Sequence, residues 1–311
     1  MRDHITCDVS SCGVCQRQKK QRKKYGLLPE KEAEFQPWER LCVDLIGPYK
    51  IKTKKGGRKL PQLKCVTMID PATGWFEIKQ YSDKQSITVA NIVEQEWLTR
   101  YPRPSLITLD RGSEFIGEDF RDMCENDYGI KRKVISTQNP QANAIVERAH
   151  QTLGTLIRSF ELQDNPYYDS DDPWSGILAA VSFAMRATYH TTLHATPGQL
   201  VFGRDMVLNS RYLADWTAIK THKQELIRKN NIIENSKRIP HQYRVGDQVM
   251  LENHRANKYE QPYKGPYSIT EIRDNGTVRL RMGAVTDTVN IRRIHPFKTT
   301  SQYNMRRARN V

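Results

Sequence analysis

The tightest constraint in this sequence is an acid in the middle of an apolar run. Leu41-Cys42-Val43-Asp44-Leu45-Ile46 has the composition of a buried strand, stopped by Gly47-Pro48, and Asp44 stands inside it. An ionised carboxylate there is costly unless it is paired or bound to a cation. Two further carboxylates occupy comparable positions. Asp110 ends the short strand pattern Ser105 to Leu109, in Leu109-Asp110-Arg111-Gly112-Ser113-Glu114-Phe115, and Glu147 falls in the first turn of a helix expected over about 144–160. If the three converge, their repulsion raises at least one pKa unless divalent cations neutralise the site. Hard oxygen ligands of this kind suit Mg²⁺ or Mn²⁺. A pair of such ions can activate an attacking oxygen and stabilise a leaving one in phosphoryl transfer. Spacing alone does not bring the acids together.

Around these acids the pattern is that of a mixed α/β sheet. Runs at 64–70 and 75–81 are joined at Pro71-Ala72-Thr73-Gly74 and predict a hairpin. Ile87, Ala90, Val93 and Trp97 recur at helical spacing, Phe120, Met123 and Cys124 predict a helix closed by Gly129, and Lys131 to Ile135 predicts another strand. On the helix carrying Glu147, the residues Val146, Ala149, Leu153, Leu156 and Phe160 make an apolar face. Glu147, His150, Gln151, Gly154 and Arg158 fall on the other side, a polar stripe suited to nucleic acid and equally consistent with a solvated face. Residues 217–238 predict a basic helical linker. From Tyr243 to Phe297 short strands and turns, with Asn275-Gly276 as a two-residue hairpin, predict a small all-β barrel.

Composition narrows the function. Lys plus Arg is 49 against 35 for Asp plus Glu, a formal net charge of +14, which points to a polyanionic partner. No run approaches the 18 or so apolar residues of a membrane span, and the polar start is no signal peptide. Six cysteines are too few for a disulfide scaffold of this size and suggest a reducing compartment. An integral membrane protein and a secreted disulfide module are excluded on this reading. Cys12-Gly13-Val14-Cys15 precedes a segment, Gln16 to Lys24, in which six of nine residues are basic. A nuclear-localisation signal, a DNA contact and a solvated charge run are all open for it.

Three motifs, in order, carry a resemblance: Trp38 to Pro48 around Asp44, Leu109 to Phe115 around Asp110, and Asn139-Pro140-Gln141-Ala142-Asn143-Ala144-Ile145-Val146-Glu147-Arg148. With Thr196 to Arg204, and Lys264-Gly265-Pro266-Tyr267 through Ile294-His295-Pro296-Phe297, the chain resembles the integrase region of a gypsy-type LTR retrotransposon polyprotein, a member of the DDE recombinase superfamily. The resemblance implies an RNase H-like core with Asp44, Asp110 and Glu147 as the catalytic, Mg²⁺- or Mn²⁺-binding triad. It implies 3′-end processing of element DNA and strand transfer into target DNA, in the nucleus, by a homo-multimer. It also implies a C-terminal module contacting DNA or chromatin, and it makes Asn143, His150, Gln151 and Arg158 the expected nucleic-acid contacts. Asp110 and Glu147 have 36 residues between them, one more than the family pattern, an insertion that a loop absorbs. The family holds a structural Zn²⁺ with two histidines upstream of a C-x-x-C pair. Cys12 and Cys15 match that pair, but the histidine region is missing, and His4 and Cys7 are spaced differently, so an incomplete Zn²⁺ site is expected.

The domains expected are a zinc-finger-like remnant over 1–28, a catalytic core over 36–206, a linker over 207–242 and a β-barrel module over 243–300. Asp70 is expected to cap the hairpin turn and Glu114 and Asp119 to be surface charges. Cys42 and Cys65 are expected to be core residues, Trp75 and Phe76 sheet packing, and His190 and His194 structural or surface residues. Rival functions are a non-catalytic DNA- or chromatin-binding relic of an integrase and a metal-dependent nuclease of the same fold.

Overall fold

The computed structural model describes residues 9, 11–33, 36–49, 62–134, 149–155, 174–254, 256–257 and 259–298. They fall into two compact units, one over 33–224 and one joining residues up to 32 with those from 225 onward.

The first unit is built on a five-stranded mixed sheet. Its strands are β2 (Arg40–Tyr49), β3 (Leu63–Ile69), β4 (Phe76–Gln80), β5 (Leu106–Leu109) and β6 (Lys131–Val134), in the order β4-β3-β2-β5-β6. The strands β2, β3 and β4 run antiparallel as a meander, and β5 and β6 add in parallel. Alternation along β2 divides the core in two. Leu41 and Val43 pack with Val66, Met68, Ile107 and Leu109 against α2 (Ser86–Val93), its π-helical continuation Glu94–Leu98, and α4 (Glu118–Asp122), where Trp97, Phe115 and Phe120 are buried. A short α3 (Ser113–Ile116) precedes α4. On the opposite face Cys42 and Ile46 pack with Cys65, Ile69, Phe76, Leu153 from the helical residues 149–155, and Trp174, the N-cap of α5 (Ser175–Ala187), with Ile177 and Val181 of that helix.

The turn between β3 and β4 is held by Asp70. Its buried carboxylate accepts the Ala72 N–H at 2.9 Å, the Thr73 hydroxyl at 2.7 Å and the Trp38 N–H at 3.2 Å, the turn-capping role expected of it. Trp75 and Phe76 are buried packing residues, as are Cys42 and Cys65. The helix α6 (Pro197–Phe202) starts from a Thr196 capping box with proline in its first turn and ends at Gly203 in the left-handed conformation.

Trp216–Ser236 form α7, the basic helix expected of the linker, but not all its charges are solvated. Lys223 is buried, and its ammonium donates to the carbonyls of Pro71 at 3.2 Å and Ala72 at 2.8 Å, so the start of α7 belongs to the first unit.

The strand-rich C-terminal region is a five-stranded antiparallel sheet, order β11-β10-β9-β8-β12. Its members are β8 (Gln248–Glu252), β9 (Tyr263–Arg273), β10 (Thr277–Met282), β11 (Val285–Asn290) and β12 (Ile294–Pro296). Asn275-Gly276 makes the β9–β10 turn, Asn275 Oδ1 accepting the Thr277 N–H at 3.1 Å. The N-terminal residues are not a separate piece but part of this unit. β1 (Lys24–Tyr25) pairs in parallel with β7 (Arg238–Ile239), and Leu28 joins Val249, Ile269, Val278 and Ile294 in the sheet's core. Buried Arg238 donates to the Tyr25 carbonyl at 2.8 Å, and Asn235 Oδ1 accepts the Leu28 N–H at 2.8 Å.

Candidate active site

Strand register sets the two described acids side by side. β2 and β5 pair Arg40 with Leu106, Leu41 with Ile107 and Cys42 with Thr108. Continued two residues past the last of these pairs, the register puts Asp44 of β2 opposite Asp110, the residue that follows β5. Side chains alternate, so Asp44 shares a face with Cys42, and Asp110 follows Thr108 on that same face. Asp44 is part-buried, at 21% side-chain exposure, and Asp110 is exposed. Each carboxylate is tied to nearby backbone: Asp44 Oδ1 accepts the Leu45 N–H and Asp110 Oδ1 the Gly112 N–H, both at 2.9 Å.

The strand opposite Asp44 adds a second layer. Thr67 is its cross-strand partner on β3, and the Thr67 hydroxyl oxygen lies 3.1 Å from the Asp44 carbonyl oxygen. The same hydroxyl lies 2.8 Å from His150 Nε2, and His150 Nδ1 stands 4.0 Å from Asp44 Oδ2. Burial pushes the imidazole pKa down to about 4, so the ring is neutral at physiological pH. The helical pattern had put His150 on an outward stripe for nucleic acid. The structure instead turns it onto the sheet, because the helix lies over β3 with Leu153 fully buried, and the flank beside that contact reaches Thr67. Gln151 is exposed, as that pattern requires. Glu147, Asn143 and Arg158 lie outside the described residues.

A second correction concerns Glu114, which is buried rather than a surface charge. Its Oε2 accepts the Ser113 hydroxyl at 3.2 Å, and its carboxylate folds over Gly112. A Cβ on Gly112 would lie 2.5 Å from Glu114 Oε1 and 3.0 Å from Asp110 Oδ1. Gly112 is therefore the spacer that lets Glu114 close against the Asp110 loop, and the sequence signal for it is the Gly two residues after the acid. Asp119 is exposed, as expected. His190 is half-buried and His194 exposed, and the His194 ring lies 4.4 Å from that of His222.

Among the described residues no three His, Cys, Asp or Glu side chains form a group able to hold a metal ion. Asp44 and Asp110 each offer the hard carboxylate oxygens that a divalent cation takes. Cys12 and Cys15 are brought together at the start of α1 (Gly13–Gln18), both as free thiols. Backbone hydrogen bonding around Cys15 lowers the Cys12 pKa, and the hydrogen bond to Cys12 raises that of Cys15. His4 and Cys7 lie outside the described residues. No described helix is long and apolar enough to cross a membrane.

This is an integrase catalytic-core fold, a mixed sheet with helices on both faces, followed by an antiparallel sheet. Residues 35–140 match the integrase core domain family, and the chain's relatives are the Pol polyproteins of retrotransposons and retroviruses. It is 26% identical over 270 residues, 78% of this chain, to the retrovirus-related Pol polyprotein from transposon 412 of Drosophila melanogaster. It is 28% identical over 169 residues, 54% of this chain, to gypsy retrotransposon integrase-like protein 1 of Bos taurus. The matches span 20% and 31% of those two relatives' lengths. A protein in the cryo-EM structure of the simian T-cell lymphotropic virus intasome, in complex with PP2A regulatory subunit B56 gamma, has the same fold. It superposes with a TM-score of 0.62 at 15% identity over 95% of this chain and 91% of that one.

Proposed function

We propose that this chain is a metal-dependent polynucleotidyl transferase that processes the 3′ ends of element DNA and joins them to target DNA. The observation that carries this reading is the register that puts Asp44 opposite Asp110 in an integrase-core sheet. Asp44 and Asp110, with Glu147 as third ligand, would hold Mg²⁺ or Mn²⁺, which when bound supplies charge neutralisation and Lewis acidity at the reacting phosphate. The protein's own part is positioning. The Gly112 N–H fixes one oxygen of Asp110, the Leu45 N–H fixes one of Asp44, and the Thr67–His150 pair braces the Asp44 strand from the far side. A neutral His150 adds no positive charge to compete with a cation for the Asp44 carboxylate. Action in the nucleus, as a homo-multimer on DNA ends and in contact with chromatin, belongs to the same proposal. Cys12 and Cys15 would supply two of the four ligands that a structural Zn²⁺ site needs.

The test is strand transfer with purified protein, a pre-trimmed element-end duplex and a plasmid target, in Mg²⁺ and then Mn²⁺. Joined products that vanish in Asp110→Asn while DNA binding persists support the proposal. Cleavage without joining would identify a nuclease of this fold instead, and binding that ignores Asp110→Asn with no reaction would identify a relic.

A further inference from the structure

The basic segment after the C-x-x-C pair is held as a strap on the C-terminal sheet. At its start the Gln16 side chain makes a reciprocal pair with the Lys298 backbone, Nε2 donating to the carbonyl and Oε1 accepting the N–H, both at 2.9 Å. Arg17 donates to the Gly265 carbonyl at 3.3 Å. In the middle, the Gln21 N–H donates to the Tyr263 hydroxyl at 3.0 Å. At the far end Tyr25 is buried, its ring edge-on to that of His295, and β1 is locked to β7. Between these anchors Lys19, Lys20, Arg22 and Lys23 are exposed, and none pairs with a carboxylate among the described residues. Lys24 is different, because it lies 3.6 Å from Glu252.

We propose that Lys19, Lys20, Arg22 and Lys23 form a binding face for the phosphates of duplex DNA, built jointly by the N-terminal strap and the C-terminal sheet. Uncompensated charge on an anchored backbone is the reason. A free lysine-rich tail loses its freedom on binding, whereas this one is already ordered, so less of the attraction is lost. Length agrees as well. Five residues from 19 to 23 span at most about 18 Å, the length of about five base pairs at the ~3.4 Å axial rise of a duplex. The strap carries no aromatic side chain between Lys19 and Lys24, so it has no platform on which unpaired bases could stack, and a duplex fits it better than a single strand. The choice of DNA rests on the integrase reading. The location of the face rests on the contacts above.

The experiment is the affinity of the full chain for a random-sequence duplex over a salt series, comparing wild type, Lys19→Gln/Lys20→Gln and the four-residue glutamine variant. At about 0.9 per phosphate contact, the slope of log affinity on log salt should fall by about 2 in the double variant and between 3 and 4 in the quadruple one. Thermal midpoints should be unchanged, since all four side chains are exposed. Tyr263→Phe removes the central anchor and no charge, and should weaken binding a few-fold with the slope preserved. An unchanged slope in the quadruple variant, or a loss confined to single-stranded DNA, overturns the proposal and leaves the integrase reading intact. A wild-type chain that binds no duplex overturns both.

Discussion

The Thr67 hydroxyl stands 2.8 Å from His150 Nε2 and also reaches the Asp44 carbonyl at 3.1 Å, linking the helix that follows Glu147 to the strand that carries Asp44. A hydroxyl has one proton, so it cannot donate to both. If the proton goes to the carbonyl, His150 donates through Nε2 and presents a lone pair at Nδ1 toward Asp44. If it goes to Nε2, then Nδ1 carries the ring proton on the side of Asp44 Oδ2, 4.0 Å away. Either way, the imidazole and the hydroxyl act as one brace between the helical residues 149–155 and the strand that carries Asp44.

Removing either half of that brace should cost activity. Groups that orient a metal ligand are typically worth about 10–100-fold, and we expect that loss in strand transfer for His150→Ala and for Thr67→Val. Because the two act together, the double variant should be no worse than the poorer single one. His150→Asn keeps a side-chain nitrogen near the Nδ1 position and should recover much of the loss if Nδ1 is the working atom. Fully additive losses in a double-mutant cycle would show that the two side chains act separately.

Acid stability should reflect two buried histidines, one in each unit. Burial lowers both His150 and His295 from 6.5 to about 4. Around His295, Glu252 opposes the shift while Lys24 and Arg238 add to it. Between pH 6.5 and 4 the unfolded chain therefore binds more protons at these sites than the folded one, so stability rises with pH. Their contribution is fully present above 6.5 and is lost as pH falls through about 4, on the order of 3 kcal/mol per residue at 1.36 kcal/mol per pKa unit. Among the described residues, neither ring nitrogen of His295 has a hydrogen-bonding partner. His295→Phe should thus keep the fold and flatten the pH dependence of the C-terminal unit's unfolding, read by denaturant titration at pH 7.5, 6 and 4.5. Equal pH dependence in variant and wild type would exclude this origin.

How much of this was legible in the sequence depends on how far each contact reaches along the chain. The hairpin at 70–75, the Asn275-Gly276 turn and the capping role of Asp70 follow from neighbours a few residues apart, and the sequence shows all of them. The apolar run Leu41–Ile46 that makes Asp44 anomalous is equally local, and the parallel register, continued two residues past Cys42 and Thr108, puts it opposite Asp110. His150 could not be placed this way. A 3.6-residue period assigns it an angle around a helix but does not say that Thr67 waits across the boundary, 83 positions earlier. Lys223 looked like one more charge in a basic helix because its carbonyl partners are about 150 residues upstream. The docking of Gln16 on Lys298, across 282 positions, left no trace in any local pattern.

Lys223 offers a direct measure of one such distant contact. Its ammonium satisfies the Pro71 and Ala72 carbonyls at the β3–β4 turn from a buried position. Lys223→Met keeps the aliphatic stem but removes the donors, leaving carbonyls desolvated at about 1–3 kcal/mol. We expect a loss in that range for the unit over 33–224, measured by denaturant unfolding, whereas Lys220→Met, an exposed neighbour on the same helix, should change stability by less than about 0.5 kcal/mol. Equal small effects for both would mean that Lys223 holds nothing.

Gly112 should prove to be a site where one methyl group damages chemistry more than folding. Its φ of −63° is ordinary, so alanine brings no backbone strain. The added carbon would meet the Glu114 carboxylate at 2.5 Å and Asp110 Oδ1 at 3.0 Å, and the side chains must move. If Asp110 holds the reacting metal as proposed, displacing it disturbs a geometry in which errors of about 1 Å can cost about 100-fold. Gly112→Ala is thus expected to lower strand transfer by one to two orders of magnitude, on the scale of that estimate, with little change in thermal midpoint. Shortening Glu114 removes the nearer obstacle, so Glu114→Ala in the Gly112→Ala background should restore part of the activity. If the double variant is as inactive as Gly112→Ala alone, crowding by Glu114 is not the cause, and the methyl group acts on Asp110 directly.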